Sequence, residues 1–189
     1  MKKNSALILV GIKHCGKSSV GKILSEKLSV PFYDTDSVIC KMTGKTPREI
    51  FVESGEDSFK KAEQNACKKI VSELGENKAS VIATGGGICN NKIALDELKK
   101  IGQFLFLFVN EETAFFRISK EISVEEGKLL NLPAFIAKKN PQNMEDVRAI
   151  FHEFYEERTK LYQNIADIHV AVWNSSVQQN ADRILALIH

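Results

Sequence analysis

Several things are missing from this chain of 189 residues, and each absence removes a class of protein. No apolar run approaches the ~18 residues that a membrane-spanning helix needs. Cysteine is sparse: Cys15, Cys40, Cys67 and Cys89 show no C-x-x-C pairing, and His14, His152, His169 and His189 add no metal-ligand spacing. The thiols are read as reduced, which points to the cytoplasm. The formal net charge of +2 argues neither for nor against a nucleic-acid partner, but no basic run interleaves with aromatics, so no nucleic-acid partner is expected, and no membrane either. Internal repeats and low-complexity stretches are also absent. The opening Met1-Lys2-Lys3 and the apolar residues after it resemble a short signal peptide, but no small-residue cleavage site follows. That run is read as a first strand instead.

What is present is ordinary for a globular protein, with 43% hydrophobic and 26% charged residues. The length suits one domain, residues 1–189, large enough for a two-sided sheet core. Strand-like runs alternate with helical ones. Ala6 to Val10, Val30 to Tyr33, Ser80 to Ala83, Phe104 to Val109 and Ile168 to Val172 read as strands. Phe104 to Val109 is apolar on both faces, as a central parallel strand requires. Helical spacing covers Val20 to Leu28, Pro47 to Leu74 with a break near Ser54-Gly55, Lys92 to Lys99, Glu111 to Lys120 and Val177 to Ile188. The alternation predicts an α/β fold: a five-stranded parallel sheet with helices on both faces.

The residues from Gly11 to Ser18 spell G-x-x-x-x-G-K-S, between the first strand and the first helix. In that context the two glycines let backbone N–H groups turn toward phosphate oxygens at a helix N-terminus. Lys17 reaches the β- and γ-phosphates and Ser18 coordinates Mg²⁺. The candidate ATP residues are Gly11, His14, Cys15, Gly16, Lys17, Ser18 and Ser19. At the end of the second strand lies Asp34-Thr35-Asp36. One carboxylate there can help hold the metal and the other can grip or deprotonate an acceptor hydroxyl. The plainer alternative is a turn that caps the next helix. From Ser119 to about Glu145 the chain leaves the βα rhythm, with Gly127, Pro133 and Pro141. It is read as a lid whose lysines (Lys120, Lys128, Lys138, Lys139) suit anionic ligands; the alternative is a loose surface connection.

The order of five pieces is more specific than any one of them. Gly11 to Lys22, Phe32-Tyr33-Asp34-Thr35-Asp36, Ile50 to Glu63 with its S-G-E-x-x-F-K-K-x-E run, Gly85-Gly86-Gly87, and Arg158-x-x-Leu161-Tyr162 together resemble the shikimate kinase family across nearly the whole chain. The resemblance implies the P-loop fold of nucleoside-monophosphate kinases and transfer of the γ-phosphate of Mg-ATP to the 3-hydroxyl of shikimate. It implies Asp34 near the metal and Asp36 on the acceptor hydroxyl as base. It also implies Gly85, Gly86 and Gly87 against the acceptor, Arg158 on its carboxylate, and Arg117 stacked on adenine. Glu63 matches an acid near the acceptor ring, with a solvated helix face as the alternative.

The departures are as informative. Lys60 stands where the family has arginine, and Lys128 is the nearest match to a lid arginine. They are the candidate acceptor-binding and catalytic lysines, but a lysine cannot form a bidentate fork. Lys13 and His14 replace a small or apolar residue and a glycine, and are expected to be exposed at the loop crest. Two other functions fit these departures: a related kinase for another hydroxyl or nucleoside-monophosphate acceptor, and a nucleotide-binding module without turnover. The expected assembly is a monomer acting on a small molecule.

Overall fold

A computed structural model describes residues 5–125, 127–173 and 175–188. Strand β1 (Ala6–Val10) is buried along its whole length and leads through the glycine loop into α1 (Lys17–Leu28). Next come β2 (Phe32–Asp34), α2 (Thr35–Thr43), α3 (Pro47–Leu74) and β3 (Ser80–Ala83). After a single 3-10 turn at Ile88–Asn90 follow α4 (Lys92–Lys99), β4 (Gly102–Phe108) and α5 (Glu111–Ser119). A small hairpin, β5 (Ser123–Glu125) with β6 (Lys128–Leu130), leads to a short α6 (Ala134–Ala137). The chain closes with α7 (Met144–Ile165), β7 (Ile168–Ala171) and α8 (Val177–Ile188).

The main sheet has five strands, all parallel, in the order β2-β3-β1-β4-β7. Such a sheet must be covered by its crossover helices, which is why β1, β3 and β4 read as unbroken apolar runs. The order places β1 between β3 and β4, so the chain leaves β1 in one direction and later returns on its other side. Ligands collect in the crevice outside the carboxyl ends of strands at such a reversal. The glycine loop follows β1, Asp34 ends β2, and the Gly85-Gly86-Gly87 turn follows β3, so all three motifs emerge at this edge.

Three parts of the chain differ from the reading of the sequence: α2, the segment after Ser119, and α7, a helix of 22 residues to which no element was assigned although it buries Val147, Phe151, Tyr155 and Tyr162 on one face. Helix α2 occupies residues to which no element was assigned; it buries only Thr35 and Ile39, one helical turn apart, too short a stripe to register as a period. It starts because the Asp34 side chain accepts hydrogen bonds from the N–H groups of Asp36 and Ser37. The segment after Ser119 is more structured than a loose connection. Ile136 is fully buried, Phe135 stacks on Phe154 of α7 with ring centroids 3.8 Å apart, and Leu129 and Leu132 pack against the core. Burying an isoleucine fully contributes about 1.5–3 kcal/mol, enough to pin α6 down while the β5–β6 hairpin before it stays largely exposed. The expected break in the long helix is present: Gly55 has φ 82° within α3.

Candidate active site

The glycine loop closes around its own lysine. Lys17 is 7% exposed, and its Nζ donates to the carbonyl oxygens of Gly11 (2.9 Å) and Ile12 (2.8 Å). His14 (φ 63°) and Gly16 (φ 100°) take left-handed backbone, a turn pattern that gathers N–H groups for anions. A cavity of about 320 Å³ opens beside the loop, bounded by His14, Cys15, Gly16, Ser19 and Arg117. Its far wall is Val172, Ser175, Val177 and Asn180. Arg117 reaches across from α5 to donate to the His14 carbonyl oxygen at 2.9 Å. The loop and Arg117, 101 positions beyond Gly16 in the numbering, are thus brought to one cavity. The wall from the β7–α8 connection was not foreseen, because its valines and amide carry no motif. Asn180 is buried and clasps that connection through Trp173 and Ser175.

Asp34 caps α2, the plainer of the two readings, and also meets the phosphate loop. Its Oδ1 caps α2, and its Oδ2 accepts a 2.6 Å hydrogen bond from the Ser18 hydroxyl. A hydroxyl and a carboxylate meeting at the phosphate loop are hard oxygen donors. They fit Mg²⁺, which takes few protein ligands and otherwise keeps water and phosphate. Among the described residues no group of three His, Cys, Asp or Glu side chains assembles elsewhere to hold a metal.

Asp36 sits two residues further on, inside a second cavity of about 350 Å³ that is continuous with the loop at Lys13. Burial, and then the neighbouring Asp34 carboxylate, push its pKa up; Lys17 and Lys13 pull it back down. Glu63 from α3 joins it. Only 1% exposed, Glu63 is not on a solvated face: burial pushes its pKa to about 7, against an Asn91 Nδ2–H that donates to Oε2 at 2.8 Å. Its other oxygen has no partner. Gly85 explains how the pair fits. A Cβ at that position would lie 3.0 Å from Asp36 Oδ1 and 3.1 Å from Glu63 Oε1. The turn is fixed from both sides: the buried Thr35 hydroxyl accepts from Gly85 N–H at 2.9 Å, and the Tyr162 hydroxyl donates to the Gly86 carbonyl oxygen at 2.9 Å.

Arg158 enters the same cavity from α7. Its Nη1 contacts Cys89 Sγ at 2.9 Å, its guanidinium lies 5.0 Å above the Phe154 ring, and its Nε is buried without a partner. Lys60 also lines the cavity, with its Nζ 3.0 Å from Glu56. Lys128 does not: it lies exposed on β6, outside the residues bounding either cavity. Two other cations take up the rim, Arg48 from the first turn of α3 and Lys138 just beyond α6. Lys138 shares Glu56 with Lys60 at 3.1 Å. The apolar wall is Pro47, Phe51, Phe59, Pro133, Ala134, Phe135 and Phe154. Arg48 had no signal in the sequence beyond its charge, and the role of α6 depends on Ile136 being drawn into the core. Of the two loop-crest residues, Lys13 is exposed as expected, while His14 is half-buried against Glu121.

A phosphate loop, a hydroxyl–carboxylate pair for a divalent ion, and a separate half-enclosed cavity carrying acids and cations define a P-loop phosphotransferase for a small anionic acceptor. The family model for shikimate kinase matches residues 13–189. The chain is 30% identical to the shikimate kinase of Blochmanniella floridana over 98% of its own length and 93% of that protein. It is 30% identical to the shikimate kinase of Histophilus somni over 100% of its length and 97% of that one. Among solved structures, the shikimate kinase of Acinetobacter baumannii in complex with shikimate superposes with a TM-score of 0.76 at 26% identity, covering 97% of this chain and 92% of that one. The Aquifex aeolicus shikimate kinase gives 0.71 at 27% identity, covering 97% and 95%. The chain belongs to the shikimate kinase family. It is therefore an ATP-using phosphotransferase with a hydroxyl acceptor, built on the P-loop fold of nucleoside-monophosphate kinases.

Proposed function

We propose that this chain transfers the γ-phosphate of Mg-ATP to the 3-hydroxyl of shikimate. The observation that carries the reading is the second cavity: continuous with the phosphate loop, it holds the Asp36 and Glu63 carboxyl groups, the half-buried Arg158 guanidinium and an apolar wall within about 350 Å³. That is the chemistry of a small polyhydroxy acid with one carboxylate. Lys17, the loop N–H groups and Ser19 hold the triphosphate, and Arg117 covers the adenine in the cavity it shares with Cys15 and Gly16. Ser18 and Asp34 hold Mg²⁺, which when bound neutralises charge on the phosphate oxygens. Asp36 accepts the hydroxyl proton; its raised pKa brings it nearer to working pH as a base. Glu63 accepts a ring hydroxyl through its unpartnered oxygen, and Gly85, Gly86 and Gly87 let the acceptor approach backbone. Arg158 pairs with the carboxylate, with Lys60 as weaker support. Residues 119–145 close as a lid on the single domain, its hairpin moving and α6 anchored. The chain acts as a monomer in the cytoplasm, without nucleic acid or membrane; among the described residues no helix is long and apolar enough to cross one.

The test is a coupled assay for ADP release with shikimate and a panel of other hydroxy acids and nucleoside monophosphates. Turnover of shikimate above the panel is the expected result. Turnover of another acceptor alone refutes the assignment, and tight ATP binding with no turnover on any acceptor makes the chain a binding module.

A further inference from the structure

Phosphoryl transfer needs positive charge at the group in flight, between the nucleotide and the accepting hydroxyl. The lysines nearest in chemistry are spoken for. Lys17, inside the loop, is already assigned to the triphosphate, Lys60 and Lys138 share Glu56 at the rim, and Lys128 lies out on the exposed hairpin. Lys13 is differently placed. It is on the phosphate loop itself, and a Cβ on Gly86 would lie 2.7 Å from its backbone nitrogen, so its side chain starts where the loop meets the acceptor turn. It bounds the same cavity as Asp36, and its charge acts on the Asp36 carboxyl. Its Nζ is held by Glu121 at 2.8 Å, just past the end of α5 at the base of the lid segment. Both side chains of that pair are nearly half exposed, at 49% and 43%, so the attachment is weak and easily exchanged.

We propose that Lys13 is a further catalytic residue of this chain: its ammonium leaves Glu121 for the phosphoryl group passing from the loop to the hydroxyl held by Asp36. This rests on the kinase reading above. In the step, the bond from the γ-phosphorus to the β–γ bridging oxygen breaks and a bond to the acceptor oxygen forms. The hydroxyl proton goes to Asp36, ADP leaves with the bridging electron pair, and Lys13 keeps its protons throughout. A flexible four-carbon stem lets the ammonium make such a move. Glu121 then serves as a resting place that keeps the cation off Asp36 between turnovers.

The experiment compares Lys13→Met, Lys13→Arg and Glu121→Gln with the parent. Lys13→Met should lower kcat with shikimate by about thirtyfold or more, with the KM for shikimate within about threefold and the KM for ATP raised about fivefold, the pattern of a charge that meets the γ-phosphoryl group in the ground state and holds it more strongly in the transition state. Lys13→Arg should recover most of that loss, and Glu121→Gln should change kcat by less than about threefold. If Lys13 merely props the loop through Glu121, Lys13→Met and Glu121→Gln fall alike and the double variant is no worse than either; that overturns the proposal. Calorimetry gives a second readout that needs no acceptor. ADP should bind Lys13→Met within about twofold of the parent, while the β,γ-imido analogue of ATP weakens about fivefold or more. Equal changes for the two nucleotides overturn the proposal. A parent inactive on shikimate refutes the acceptor assignment alone, and the paired affinities still decide for or against Lys13.

Discussion

Glu63 offers the sharpest physical test, because its environment converts directly into a pH dependence. Burial among α3, Asn91 and the Asp36 carboxyl raises its pKa from 4.5 to about 7. Between those values the folded chain keeps a proton on Glu63 that the unfolded chain has lost. The unfolded state therefore binds fewer protons, and stability falls as pH rises. The favourable state is complete below pH 4.5 and is lost as pH passes about 7. A shift of this size corresponds to about 3 kcal/mol by pH 8. Glu63→Gln removes the titration and keeps both the shape and an oxygen for the Asn91 Nδ2–H at 2.8 Å. Parent and variant should melt together near pH 4, draw apart from pH 4.5 to about 7 and keep a constant gap above that, with Glu63→Gln the more stable. For a chain of this length 3 kcal/mol is worth about 6–12 °C in Tm. The assay is thermal unfolding by circular dichroism at half-unit steps from pH 4 to 8, read as the difference between the two proteins, so that other titrating groups cancel. Parallel Tm curves across that range would refute the reasoning and would mean that Glu63 is ionised and solvated at neutral pH.

The remaining predictions follow from the same geometry. Lys17→Ala should abolish turnover and weaken ATP binding in calorimetry, since the ammonium inside the loop is lost; undiminished affinity would remove the nucleotide site. Asp36→Asn should bind ATP normally and lower kcat by about 10²–10⁴, because the amide accepts no proton; a small drop would leave Asp36 as a residue of the first turn of α2 only. Arg158→Ala should raise the acceptor KM steeply, a charge-assisted contact being worth about 1.5–3 kcal/mol, while Lys60→Arg should lower it with kcat little changed; steady-state kinetics with shikimate would show either failing. Hydrogen exchange should find the amides of the β5–β6 hairpin protected only with nucleotide and acceptor together, but those of α6 protected already, because Ile136 is buried; equal protection of the hairpin in both states contradicts a moving lid.

What the sequence determined by itself is the part of the protein encoded by contiguous residues and simple periods. The glycine loop between an apolar run and a helical one defined the nucleotide side, because its backbone turns, lysine and serine lie within eight positions, Gly11 to Ser18. Five apolar runs alternating with helical ones defined a parallel sheet, and the short-range motifs at strand ends defined its working edge. Asp34 and Asp36 were legible for the same reason, although only coordinates show that Asp34 caps α2 and holds Ser18 at once. What tertiary structure alone decided is the balance of charge in the acceptor cavity. Glu63 looks like a surface acid on a long polar helix until Asn91 and Gly85 close over it, and desolvation then rewrites its chemistry. Lys128 matches a motif but lies out in solvent, while Lys138 and Arg48, which match none, reach the rim. That exchange follows from the burial of Ile136 and the stacking of Phe135 on Phe154, contacts between segments far apart in the chain. Local patterns fix which residues can do chemistry; long-range packing sets how near they stand and how much water remains between them.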